Sequence, residues 1–182
     1  MRVMVFLHGT SIMHGAAAGR PRANRVMQVI GKDPSVIDLA SYVPTEGAVA
    51  KVAAWQRGGA EICYLSSHRT AAAAAIDTAV LSTHGFPAGT VYFRAHGESY
   101  ADVARRWLAD VVVEDDCESI GGRPQTTAFA LARAPGPEVA CVVIPEFGGM
   151  AHLPDDPAEL GTANAQAGQG RVRRFLRRRR AR

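Results

Sequence analysis

The sequence predicts an α/β protein in which a parallel sheet is flanked by helices, and three observations lead there. Short apolar runs recur at residues 2–7, 61–65, 91–94, 111–113 and 139–144, each of strand length and rich in β-branched or aromatic residues. Helix-like stretches separate most of them, so strands alternate with helices as in βαβ units. The 182 residues suit one domain with a well-buried core, without internal repeats or a linker that would split it.

Taken in order, residues 2–7 form a first buried strand that runs into His8-Gly9-Thr10, a tight glycine turn. Ser11 to His14 continue the turn. Residues 15–25 are rich in Ala, Gly and Arg without a clear period, and 26–40 read as a small helix and a strand. Pro44-Thr45-Glu46-Gly47 opens a helix, with Thr45 placed to cap it and Gly58-Gly59 to end it. The strand at 61–65 leads into Ser66-Ser67-His68-Arg69-Thr70, and the alanine-rich run 71–81 is a strong helix former. The strand at 91–94 precedes a helix over 99–108. Val111-Val112-Val113 ends in Glu114-Asp115-Asp116, and Gly121-Gly122 follow. Residues 127–133 are ambiguous, 139–144 form a last strand, and 145–154 form a loop.

Composition narrows the class. The apolar share of 47% is ordinary for a globular protein, and no window of about eighteen apolar residues predicts a membrane span. The first residues lack a signal-peptide pattern. Cys63, Cys117 and Cys141 lie far apart, which suits a reducing cytoplasm better than a disulfide framework or a cysteine metal site. The net charge is +4, but the tail from Arg171 to Arg182 holds eight arginines and no acid, so the body alone stands at −4. The expected organisation is a domain over 1–160 and an arginine-rich tail over 161–182. Nucleic acid or another acidic surface is a candidate partner of that tail, a solvated tail being the alternative.

Several residues carry chemistry. Ligands of open parallel sheets sit beyond the carboxyl ends of the strands. There Glu114, Asp115 and Asp116 could hold a hard cation such as Mg2+, or simply form a solvated acidic loop. Ser66 and Ser67 lie between a strand and a helix, where they could bind phosphate or serve as helix caps. Arg94 could neutralise a phosphate or be a surface residue. His8 could be an acid/base or a structural residue of its turn. The remaining histidines are dispersed along the chain.

In this order, a strand with a Gly-Thr turn, a strand ending in Ser, a basic residue before a helix and a strand ending in acids resemble the haloacid dehalogenase-like superfamily of phosphohydrolases, its nucleotidase-like branch in particular. The resemblance spans residues 2–122 and is strongest over 111–122. It implies a Rossmann-like domain, either capless or with a small cap at about 11–42, together with Mg2+ and a phosphorylated small molecule. It also implies that Gly9, Thr10, Ser66 (with Ser67) and Arg94 contact phosphate and that Glu114, Asp115 and Asp116 hold the metal. The family's Asp-x-Asp-Gly-Thr stands here as Phe6-Leu7-His8-Gly9-Thr10. Phe6 occupies the place of the nucleophile and has no nucleophilic atom. The expectation is therefore a relative that binds a phosphorylated ligand and lacks the usual nucleophile. The alternative is an active metal-dependent phosphatase in which His8 or an activated water takes over. A fainter resemblance to the histidine phosphatases, through His8-Gly9 and Glu98-Ser99, lacks their arginine, since Leu7 stands in its place.

Overall fold

A computed structural model describes residues 1–161; the expected tail, apart from Gly161, lies outside the described residues. The central strand β1 (Arg2–Phe6) pairs on one side with β4 (Glu61–Leu65) and on the other with β6 (Val111–Asp115). The outer strands are β5 (Thr90–Tyr92), against β4, and β7 (Ala140–Ile144), against β6. Every pairing is parallel and the order is β5-β4-β1-β6-β7. Two strands lie to either side of the chain's first strand, β4 and β5 on one and β6 and β7 on the other, as in doubly wound Rossmann-like sheets, whose ligand crevice opens where the order reverses. Here that point lies between β1 and β6.

The helices are α1 (Arg22–Ile30), α2 (Ala48–Arg57), α3 (Ala71–Thr83), α4 (Tyr100–Arg106) and α5 (Thr127–Leu131). Side-chain alternation along the strands splits the core into two layers. Val3, Val5, Ile62, Tyr64, Val111 and Val113 face one cluster with Val52 and Trp55 of α2 and Val80 and Leu81 of α3. Met4, Cys63, Leu65 and Val112 face the other, with Val103, Ala104 and Trp107 from the α4 side. Burial of these side chains, at about 25 cal/mol per Å² of apolar surface, is what holds the helices to the sheet.

Several local expectations are corrected. Thr45 does not cap α2: its hydroxyl donates to the Thr10 carbonyl at 2.6 Å, and the left-handed Gly47 opens the helix. Ser99, expected inside a helix, caps α4 through a capping box with Asp102. No strand forms over residues 26–40; α1 is followed by short turns of 3-10 helix instead. The excursion after β1 is closed at its base by a two-stranded antiparallel ladder of β2 (Ile12–Met13) and β3 (Val43–Pro44). Finally, β6 continues past its valines through Glu114 to Asp115.

Candidate functional site

A cavity of about 260 Å³ lies at the carboxyl ends of β1 and β6. Its apolar lining comes from Val29, Val36, Leu39 and Tyr42 of the excursion together with Phe6, Tyr100, Ile120 and Phe147. Its polar lining comes from His8, His14, Ser67, His68, Asp115, Ser119 and Glu146. Two of its residues, Cys117 and Phe147, have left-handed φ angles of 54° and 57°, which the surrounding packing must hold in place.

Register brings the loops together. Phe6 pairs with Leu65, and the Leu7 N–H extends the ladder to the Leu65 carbonyl, so His8 emerges beside the loop after β4. There the Ser67 hydroxyl lies 2.9 Å from His8 Nδ1. His8 Nε2 lies 3.2 Å from Asp77 Oδ1 and His68 Nε2 lies 3.6 Å from the same oxygen, both outside hydrogen-bond geometry. Asp77 projects from α3 and is 1% exposed. Its second oxygen accepts from the Ser66 hydroxyl at 2.5 Å. Burial lowers the His68 pKa, the neighbouring His8 adds to that effect, and Asp77 opposes it.

The acidic stretch does not converge, and the reason is the alternation of a strand. Because β6 extends to Asp115, Glu114 and Asp115 point to opposite faces of the sheet. Both oxygens of Glu114 accept backbone N–H groups at the start of α5, from Thr127 and Ala128, each at 2.7 Å. Asp115 accepts from the Thr10 hydroxyl at 2.7 Å and from the Cys117 N–H at 2.8 Å. Asp116 accepts the Glu146 N–H at 3.0 Å. These carboxylates are engaged one by one within the protein, and Phe6 adds no donor. Mg2+ demands a near-octahedral set of oxygens, and this donor set does not fit it as it stands. Among the described residues, the side chains that do gather as a metal-ligand set are His8, His68 and Asp77.

Of the residues expected to contact phosphate, Gly9 and Ser67 line the cavity, whereas Thr10, Ser66 and Arg94 do not. Thr10 and Ser66 are fully buried. The Ser66 hydroxyl is committed to Asp77 and accepts the His68 N–H. The Arg94 guanidinium stacks 3.8 Å from the centroid of the Tyr100 ring. Phe6 packs edge-on against that same ring, so the position of the expected nucleophile is part of an aromatic wall. Gly9 is obligatory: at φ +87°, a Cβ there would come within 2.7 Å of Asp115 Oδ2.

Burial raises the Asp115 pKa to about 7; the Thr10 and Cys117 hydrogen bonds oppose the rise and the charges of Glu146 and Glu114 reinforce it. Burial raises Glu146 likewise, although the Ser119 hydroxyl and N–H both bond to it. The Cys117 thiol is pushed up by burial and by Asp115, so it is no nucleophile at neutral pH.

Sequence reasoning missed Glu146, Asp77 and His14. Glu146 follows a strand carboxyl end just as Asp115 does, so the same rule would have found it. Asp77 had a signal too, as the lone acid in an alanine-rich helix. His14 had none, because its place at the cavity depends on the excursion folding back.

Fold and site thus define a doubly wound α/β protein with a crevice at the reversal of its sheet. No family model matches the sequence, and no curated protein matches it. Among solved structures the chain is similar to the D,D-heptose 1,7-bisphosphate phosphatase of B. bronchiseptica, solved with magnesium and phosphate. The identity is 14%, over 81% of this chain and 94% of that one, with a TM-score of 0.38.

Proposed function

We propose that this chain hydrolyses a small phosphomonoester with an apolar body, the reacting group sitting at the His8 end of the cavity and residues of the 11–42 excursion acting as a small cap. The observation that carries the reading is the Ser67–His8 contact at 2.9 Å in the polar lining, with the buried Asp77 carboxylate behind the imidazole. Phe6 closes the aspartyl-phosphate route, so the attacking oxygen is that of Ser67 or of a water. Its proton passes to His8 Nδ1 as the new bond to phosphorus forms and the ester bond breaks; where Ser67 attacks, a water then displaces serine from the phosphoserine and releases phosphate. Asp115, protonated near neutrality, can deliver a proton to the leaving oxygen. The apolar lining fits a hydrocarbon or aromatic body of modest size.

Phosphate release from an aryl phosphate tests this, with an aryl acetate as the control. His8→Ala should lower turnover by on the order of 10²-fold or more, and Ser67→Ala does so where its hydroxyl is the attacking oxygen. Turnover that survives both substitutions excludes the mechanism. Turnover of the acetate alone moves the substrate class to carboxylic esters. A second reading, a binder without turnover, rests on Phe6 standing where the resembled family has its nucleophile. It requires that inorganic phosphate raise the melting temperature of a catalytically silent protein.

One feature of the cavity constrains both readings. Among the described residues that line it there are three carboxylates, Glu114, Asp115 and Glu146, and no Lys or Arg. A phosphate group therefore needs a cation from elsewhere.

A further inference from the structure

We infer that His8, His68 and Asp77 form a binding site for a divalent ion of the zinc class, with its open position facing the cavity. The three ligand atoms lie within 4.8 Å of one another. Asp77 Oδ1 is 3.2 Å from one imidazole nitrogen and 3.6 Å from the other. A tetrahedral zinc site with bonds of about 2.0–2.1 Å separates its ligand atoms by about 3.3–3.4 Å. The two separations from Asp77 fall on either side of that value, and the remaining pair, between the two imidazoles, lies within 4.8 Å.

The hydrogen-bond pattern points the same way. His8 Nε2 and His68 Nε2 are both buried, and neither has a hydrogen-bond partner. A buried nitrogen left unpartnered is rare, and two of them beside one carboxylate oxygen need a common explanation. An ion between them satisfies all three groups at once. The outer contacts are those that ligating residues need. The Ser66 hydroxyl steadies Asp77 through its other oxygen at 2.5 Å, and the Ser67 hydroxyl meets His8 at Nδ1, the nitrogen that the ion leaves free. Two imidazoles and one carboxylate select zinc and its neighbours over magnesium, which prefers oxygen throughout. His8 and His68 line the cavity, so a fourth ligand enters from there.

The site stands whether or not the hydrolase reading does; it supplies the positive charge that the cavity wall lacks, but the ion-loaded protein does not use the His8 base of that reading. An ion there can polarise a phosphoryl oxygen as a Lewis acid. Nδ1, the nitrogen left free, meets both the Ser67 hydroxyl at 2.9 Å and the Ser67 N–H at 3.4 Å, and with the ion on Nε2 His8 becomes a ligand rather than a base.

The test is calorimetric titration of chelator-stripped, full-length protein with Zn2+, together with the visible spectrum of the Co2+ form. One equivalent of Zn2+ and an intense tetrahedral Co2+ spectrum are expected. His68→Ala should weaken binding by at least about 100-fold, and Ser67→Ala by about tenfold through the lost outer contact. Cys117→Ser should leave binding unchanged. His68→Gln repeats the test at similar size if the alanine variant folds poorly. Absence of Zn2+ binding overturns the site, as does binding that His68→Ala spares or that Cys117→Ser abolishes. The two proposals fail separately. Ion binding without turnover keeps the site and removes the hydrolase. Turnover by stripped protein that takes up no ion keeps the hydrolase and removes the site.

Discussion

Asp115 is the residue at which burial and chemistry pull hardest against each other. Its carboxyl has an ordinary value of 3.8 and stands at about 7 in the folded chain, chiefly because burial strips its solvent. Between those two values the folded state holds a proton that the unfolded state has released. Stability therefore falls as pH rises through that window and levels off above it. Glu146 is raised as well and adds a loss of the same sign. Asp115→Asn should flatten the profile from about pH 4 to 7, with a gain above pH 7 on the order of 4 kcal/mol at most. Melting curves across that range check it; an unaltered slope in the variant would assign the loss to other groups. The residue's importance was legible in the sequence, because an acid beyond a β-branched run sits at a strand end. Its direction was not. The valine run marks where β6 begins, but not that the strand continues through Glu114, and one further residue of strand decides which face each carboxylate takes.

At the scale of the element, the same alternation turns Glu114 into a structural part of α5. That helix has five residues, too few to be stable alone, and its first N–H groups are met by the Glu114 carboxylate and the Thr126 hydroxyl. Glu114→Gln offers one acceptor oxygen where two are needed and leaves a buried N–H short. A destabilisation of about 1–3 kcal/mol is expected in denaturant unfolding, with divalent-ion affinity unchanged. A loss of ion affinity with stability intact would instead make Glu114 a ligand. The strands and the long helices were readable because each carries its own period. The excursion was not: α1 begins inside a stretch of Ala, Gly and Arg without a clear stripe. Its place depends on distant partners. Arg22 donates to the Glu146 carbonyl and Arg25 to the Phe147 carbonyl, both far along the chain.

For the whole molecule, charge separates the described body from the tail. The body is net negative and puts three of its carboxylates on the cavity, whereas the eight arginines between Arg171 and Arg182 form a run without a single acid. Cutting the chain before Arg171 should abolish binding to a generic duplex while leaving the melting temperature within about 4 °C. Retained binding by the shortened chain would place the basic surface within the body. Where the full chain binds, its affinity should fall steeply with salt and show no sequence preference.

The ladder between β2 and β3 brings the two ends of the excursion side by side, with Met13 opposite Val43 and Ile12 opposite Pro44. A segment whose entrance and exit are hydrogen-bonded neighbours can be exchanged for another without disturbing the strands beneath it. Besides His14, the residues it contributes to the cavity are the apolar Val29, Val36 and Leu39 and the ring of Tyr42, which under the proposed hydrolysis would meet the ligand's body. The groups placed to react hang from the sheet loops and from α3 instead. Under that proposal, most of recognition and the reactive groups would sit on separate pieces of chain. Grafting a different excursion between Met13 and Val43 offers a route to new ligands on an unchanged reactive centre.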